Sequence, residues 1–152
     1  MTIDEVKNIF ETTALNHVDI KSFGFGEDSE IGVQNATEFP NAFLEIPYNL
    51  SYDLSNYRYK TIQFAFLILL KSKSDDLTGD HYLISASEQI AEAILTKIMT
   101  ENKHLVFETV NGLSVREFSD DSVAGFRFDL SIQIKKSYCL DIPSSYADQF
   151  KG

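Results

Sequence analysis

Tryptophan is absent, and cysteine occurs once and proline three times in 152 residues. The lone Cys139 cannot form an internal disulfide and has no second thiol with which to build a metal site. Seven glycines and three prolines are too few breakers for a fibrous or low-complexity chain. Long apolar runs are missing too. The longest, Phe64 to Leu70, falls well short of the roughly 18 residues that span a bilayer, and the opening MTIDEVKNIF lacks a basic stretch followed by an apolar one. Positive charge is scarce: 13 basic against 23 acidic residues leave a net charge of -10. Such a surplus opposes the phosphate attraction that nucleic-acid binders draw on and repels anionic lipid headgroups. Neither specific nucleic-acid binding nor a membrane partner is expected, and the chain reads as cytoplasmic.

What is present suffices for a folded domain. Hydrophobic residues make up 43% and charged residues 24% of the chain. A chain of this length buries about two-thirds of the surface that its unfolded form exposes, enough to dispense with a metal or disulfide staple. Periodic segments run to residue 142 and Pro143 ends the last of them, so a single domain over 1–142 with a tail over 143–152 is expected.

Thr2-Ile3-Asp4-Glu5 has the form of a capping box, and Ile3, Val6, Ile9, Phe10 and Ala14 recur at helical spacing behind it. A helix should run from there to about Leu15. Val18 to Phe25, rich in β-branched and aromatic residues and bounded by Gly24 and Gly26, reads as a first strand. Residues 27–42 show no period and read as a long loop. Phe43 to Tyr52 alternates on its even positions but contains Pro47, which suits an edge or bulge. From Tyr57 to Lys71 the even set Ile62, Phe64, Phe66, Ile68 and Leu70 is wholly apolar, and the odd set turns apolar at Ala65, Leu67 and Leu69. Such a strand belongs in the centre of a sheet, packed on both sides.

A second helix is expected from Asp80, placed as its N-cap, to about Glu101, with Leu83, Ala86, Ile90, Ala93, Ile94 and Ile98 along one face. Leu105 to Val110 and Leu113 to Phe118 flank Asn111-Gly112, the strongest short hairpin signal. Phe126, Phe128, Leu130, Ile132 and Ile134 then alternate strictly with polar residues, giving one core face and one wet face. This element order predicts an α+β domain: a mostly antiparallel sheet of about five or six strands, an N-terminal helix and one long helix packed on one face.

Chemistry has no visible carrier. His17, His81 and His104 lie far apart at the ends of predicted elements and show no metal-ligand spacing. Asp75-Asp76 and Asp120-Asp121 sit in predicted turns but lack the alternating oxygens and closing glutamate of a calcium loop. Glu101-Asn102-Lys103, the one E-x-K, lies at a helix end instead of on the strand that a metal-dependent nuclease would need. No nucleophile elbow, phosphate-binding loop or dinucleotide fingerprint occurs. No catalytic, cofactor or metal residue is assigned, and no cofactor is expected. Tyr48, Tyr52, Tyr57 and Tyr59 cluster around a polar turn. Tyrosines bury area while keeping a hydrogen bond, so the four are candidates for an oligomer interface, with cross-strand packing as the alternative.

The helix at the N-terminus, the segment Phe43-Leu44-Glu45-Ile46-Pro47, the long strand Ile62 to Leu70, the helix Ala86 to Met99 and the closing Asp121-Ser122-Val123-Ala124-Gly125-Phe126-Arg127-Phe128 form a familiar layout. Over residues 3 to 138 it resembles the tail terminator and tail completion proteins of long-tailed bacteriophages. That resemblance implies a non-enzymatic structural protein of the virion, at the head-proximal end of the tail and assembled in the host cytoplasm. It further implies a homo-oligomeric ring, commonly a hexamer, that partners a tail tube protein and a head connector protein. Surplus acidity fits a ring through which DNA must pass without being gripped. Asp75 and Asp76 then become candidates for a lumen or partner-facing acidic loop. Two other readings stand beside this one: an acidic interaction or inhibitor module that occupies a basic partner, and a metal-dependent enzyme built on the aspartate turns.

Overall fold

Backbone amides at a helix start have no partners within the helix, and here the sequence supplies them. A computed structural model describes residues 1–27, 38–47, 49–53, 59–72, 77–117 and 123–135. In it Thr2 caps α1 (Ile3–Leu15). The Glu5 amide donates to the Thr2 hydroxyl at 3.2 Å, and the Thr2 amide donates to the Glu5 carboxylate at 2.6 Å. Val6, Phe10 and Ala14 are buried on one stripe of α1. The Phe10 ring meets Phe64 nearly edge-on at 5.4 Å between centroids, the geometry that ring quadrupoles favour.

The strands are β1 (Ser22–Gly26), β2 (Asn41–Glu45), β3 (Asn49–Tyr52), β4 (Tyr59–Lys71), β5 (Leu105–Glu117) and β6 (Val123–Lys135), with α2 (Leu77–Glu101) between β4 and β5. They form one sheet in the order β1-β2-β4-β6-β5, and β3 joins β4 on the same side as β2. Among the described strands only β1 and β2 run parallel; the other pairs are antiparallel. The fold is α+β, with an N-terminal helix and one long helix.

Side-chain alternation along β4 divides the core. Ile62, Phe64, Phe66 and Ile68 join Val6 and Phe10 of α1 and Ile90, Ile94 and Ile98 of α2, so both helices share one face of the sheet. Ala65, Leu67 and Leu69 point the other way and are buried with Phe43 and Val123 in a second, smaller cluster. Apolar residues on both faces of β4 are what its central place requires.

Four expectations need correction. The first strand starts at Ser22 because the chain leaving α1 turns first: the Ile20 amide donates to the His17 carbonyl, and Val18 is 95% exposed. Gly24 and Gly26 lie within β1. The segment Phe43 to Tyr52 is two strands, broken at Ile46 and Pro47. Proline has no amide to give β4, and the Ile46 amide donates to the Gly26 carbonyl at 2.9 Å. Asp80 does not cap α2; the helix starts at Leu77 and Asp80 turns inward within the first turn. Along that helix Ala93 is exposed, while Ser87 is buried with its hydroxyl donating to the Leu83 carbonyl at 2.8 Å.

The fourth is the hairpin. Asn111-Gly112 makes no turn: β5 continues through it, with Asn111 opposite Asp129 and Gly112 opposite Phe128. Glycine serves packing there. A Cβ on Gly112 would stand 2.4 Å from Cε1 of Phe126. The chain between β5 and β6, the tail after Lys135 and residues 28–37 lie outside the described residues.

Gly125 of β6 is held more tightly, since a Cβ there would stand 2.0 Å from the Ile68 carbonyl oxygen of β4. Gly125→Ala is expected to lower stability by about 3 kcal/mol or more, because two backbones must separate. Gly112→Ala, which meets only the rim of a half-buried ring, should lose about 1 kcal/mol. Urea midpoints of the two variants check the order.

Candidate assembly surfaces

The face of the sheet away from the helices carries an ionic clasp. Arg127 and Asp129 stand two apart on β6 and so share that face, with Leu67 and Ala65 of β4 opposite them. The small Ala65 leaves room for the guanidinium to reach across β4 to Glu45 of β2. Arg127 Nη2 donates to Glu45 Oε2 at 3.1 Å and Nε donates to Asp129 Oδ1 at 3.1 Å, while Nη1 also donates to Glu45 Oε1. Partial burial by itself would lower the Arg127 pKa. The hydrogen bonds and charges of Glu45 and Asp129 outweigh that and raise it above its ordinary value. Two carboxylates on one cation leave this patch with a net negative charge. The signal was present in the sequence as opposite charges at i and i+2 on a wet strand face; the contribution of Glu45, 82 residues from Arg127, was not.

A second ion pair is buried on the helix side. Asp80 is 1% exposed, and its Oδ2 accepts from Arg116 Nε at 2.8 Å and lies 2.7 Å from Nη2. It ties the end of β5 to the first turn of α2. Among the described residues, the second oxygen of Asp80, Oδ1, is buried without a hydrogen-bond partner.

A shallow recess lies between α1 and the sheet, walled by Ile3, Val6, Phe25, Leu44 and Phe64, with Lys7 at its side. The Lys7 ammonium is held by Glu11 at 2.7 Å, and this hydrogen bond raises its pKa. The walls are otherwise apolar, so the recess presents no acid-base pair.

The candidate tyrosines do not come together where the structure describes them. Tyr52 is opposite Lys60 in the β3–β4 register and 54% exposed, with the Lys60 ammonium 6.0 Å from its ring centroid. That ammonium also donates to the Met1 carbonyl at 2.6 Å, on the helix side. Tyr59 precedes Lys60 on β4, so the pleat turns it to the opposite face. Tyr48, Tyr57, Asp75 and Asp76 lie outside the described residues, as do Asp120 and Asp121. His17 Nδ1 accepts from the Asp19 amide at 3.1 Å, a local turn contact. Among the described residues no cluster of three or more His, Cys, Asp or Glu side chains could hold a metal ion, and no helix is long and apolar enough to cross a membrane.

The sequence pattern also missed the outer edge of β5, because it expected a turn there. Val110 is 41% and Leu113 55% exposed, and Asn111, Gly112 and Ser114 between and beside them are exposed too. No protein-family model matches the chain, and neither does any curated protein.

Loss of one partner from the buried pair should be unequal in its effect. Arg116→Met leaves the Asp80 carboxylate buried without its cation and should lower stability by about 3 kcal/mol. Asp80→Asn leaves a guanidinium that is 28% exposed and can turn to water, and should lower it by less. Replacing both, as Asp80→Leu with Arg116→Met, should recover part of the loss, and urea denaturation of the three variants measures it.

Proposed function

We propose that this chain is a non-enzymatic structural protein that works by assembly, as a ring-forming tail terminator or head-to-tail joining protein of a phage or prophage tail. The observation that carries the reading is the element order itself. One helix precedes a run of strands that ends in the long β4, α2 follows, and two long strands close the sheet, with both helices on one side. That is the layout on which the resemblance to tail terminators rests. The helix-free face, with its clasped and outward-facing carboxylates, suits contact with neighbours better than turnover of a substrate. A net charge of -10 keeps such a ring from gripping DNA in transit. On this reading the tail tube and head connector are its partners, and the assembled tail is its place.

The acidic surface also favours a second reading, a module that occupies a basic partner through the exposed Glu108 and the part-exposed Asp129. Negative-stain microscopy separates the two. The protein at high concentration, alone and with purified tail tubes, should give rings and capped tube ends. A protein that forms no ring and leaves tube ends bare, yet elutes in a stoichiometric complex with a basic host protein, would replace the first reading with the second.

A further inference from the structure

We propose that the outer edge of β5 pairs antiparallel with the β5 edge of a second copy, about a two-fold axis at Gly112, joining two sheets into one. β5 is the last strand in the sheet order and pairs only with β6 among the described residues. Gly112 has no side chain, so its exposure is exposure of the main chain. A row of amides and carbonyls open to water is a template for another strand.

Proteins blunt such edges with proline, lysine, short strands or bulges. β5 is thirteen residues long and contains neither proline nor lysine, and its single irregularity lies near one end, between Phe107 and Thr109. Arg116, near the other end, is drawn under the sheet toward Asp80. Between these points Thr109-Val110-Asn111-Gly112-Leu113-Ser114-Val115 carries no charge. In a chain with a net charge of -10, this is a stretch where two copies approach without mutual repulsion. Its exposed Val110 and Leu113 lie on opposite faces, so pairing removes apolar surface from water on both sides.

Length and packing select the partner and the register. β1, at the other end of the strand order, has five residues and cannot match thirteen, whereas a second β5 does so by identity. Placing Gly112 opposite Gly112 sets no partner side chain against the Phe126 ring that occupies the space over each glycine. Val110 then faces Ser114 of the other copy, and Asn111 faces Leu113. A two-fold joint closes on itself and cannot by itself propagate a ring. The pairing therefore describes the free protein and does not rest on the tail reading.

Sedimentation equilibrium of the full chain should give twice the 17.2 kDa monomer mass. Val110→Lys with Leu113→Lys should weaken the dimer by about tenfold or more through like-charge crowding, with an unchanged circular dichroism spectrum because both positions are exposed. In a Cys139→Ser background, Asn111→Cys chains mixed with Leu113→Cys chains should form disulfide-linked dimers under mild oxidation. Val18→Cys chains, exposed and far from the edge, should not. A monomer at all concentrations, a dimer untouched by the lysines, or cross-linking no better than that of Val18→Cys would overturn the pairing. Rings without this dimer would sink this inference and leave the tail reading intact, and the dimer without rings would do the reverse.

Discussion

Burial of β4 on both faces is the constraint from which the rest of the arrangement follows. A strand with Ile62, Phe64, Phe66 and Ile68 on one side and Ala65, Leu67 and Leu69 on the other has no face to offer water. It must take the middle of the sheet, with β2 and β3 on one side and β6 along its whole length on the other. Both helices cover the more voluminous face. The second face needs less cover near Phe43 and Val123 and turns polar toward Gln63, Ser131 and Arg127, which is why the ionic clasp sits there. Apolar burial thus decides the layers, and charge is placed in what remains.

Local signals were legible in proportion to how local their cause is. The capping box at Thr2 and Glu5 needs only four residues and forms as written. The strict alternation from Phe126 to Ile134 likewise lies within β6 and survives in the structure. Asn111-Gly112 is the instructive failure. Its turn propensity is worth little against twelve registered pairs with β6, and the glycine is needed because the Phe126 ring lies over it. Asp80 has the chemistry of a helix cap, but a cation 36 residues away draws its carboxylate inside. The central place of β4 was legible from its two apolar faces, but its neighbours were not, since β4 finds β6 across a whole helix.

The candidate site divides in the same way. Strict alternation put Arg127 and Asp129 on one wet strand face, whereas Glu45 belongs to them only after the sheet has formed. Tyr52 and Tyr59 are set on opposite faces by the pleat, because Tyr52 lies opposite Lys60 and adjacent positions on a strand face opposite sides. Proximity along an extended chain predicts shared location only at even spacing, and Tyr52 and Tyr59 lie on different strands with different parity.

The clasp has a mechanical meaning. Backbone ladders bind each strand only to its immediate neighbours, but the guanidinium of Arg127 ties β6 directly to β2 while passing over β4. Sliding β2 lengthwise relative to β6 must therefore strain charge-assisted bonds as well as ladder bonds, and load applied to one flank reaches the other without passing through the β4 ladders alone. A sheet stiffened across its width in this manner transmits tension as a plate does, where an unlaced sheet would yield strand by strand.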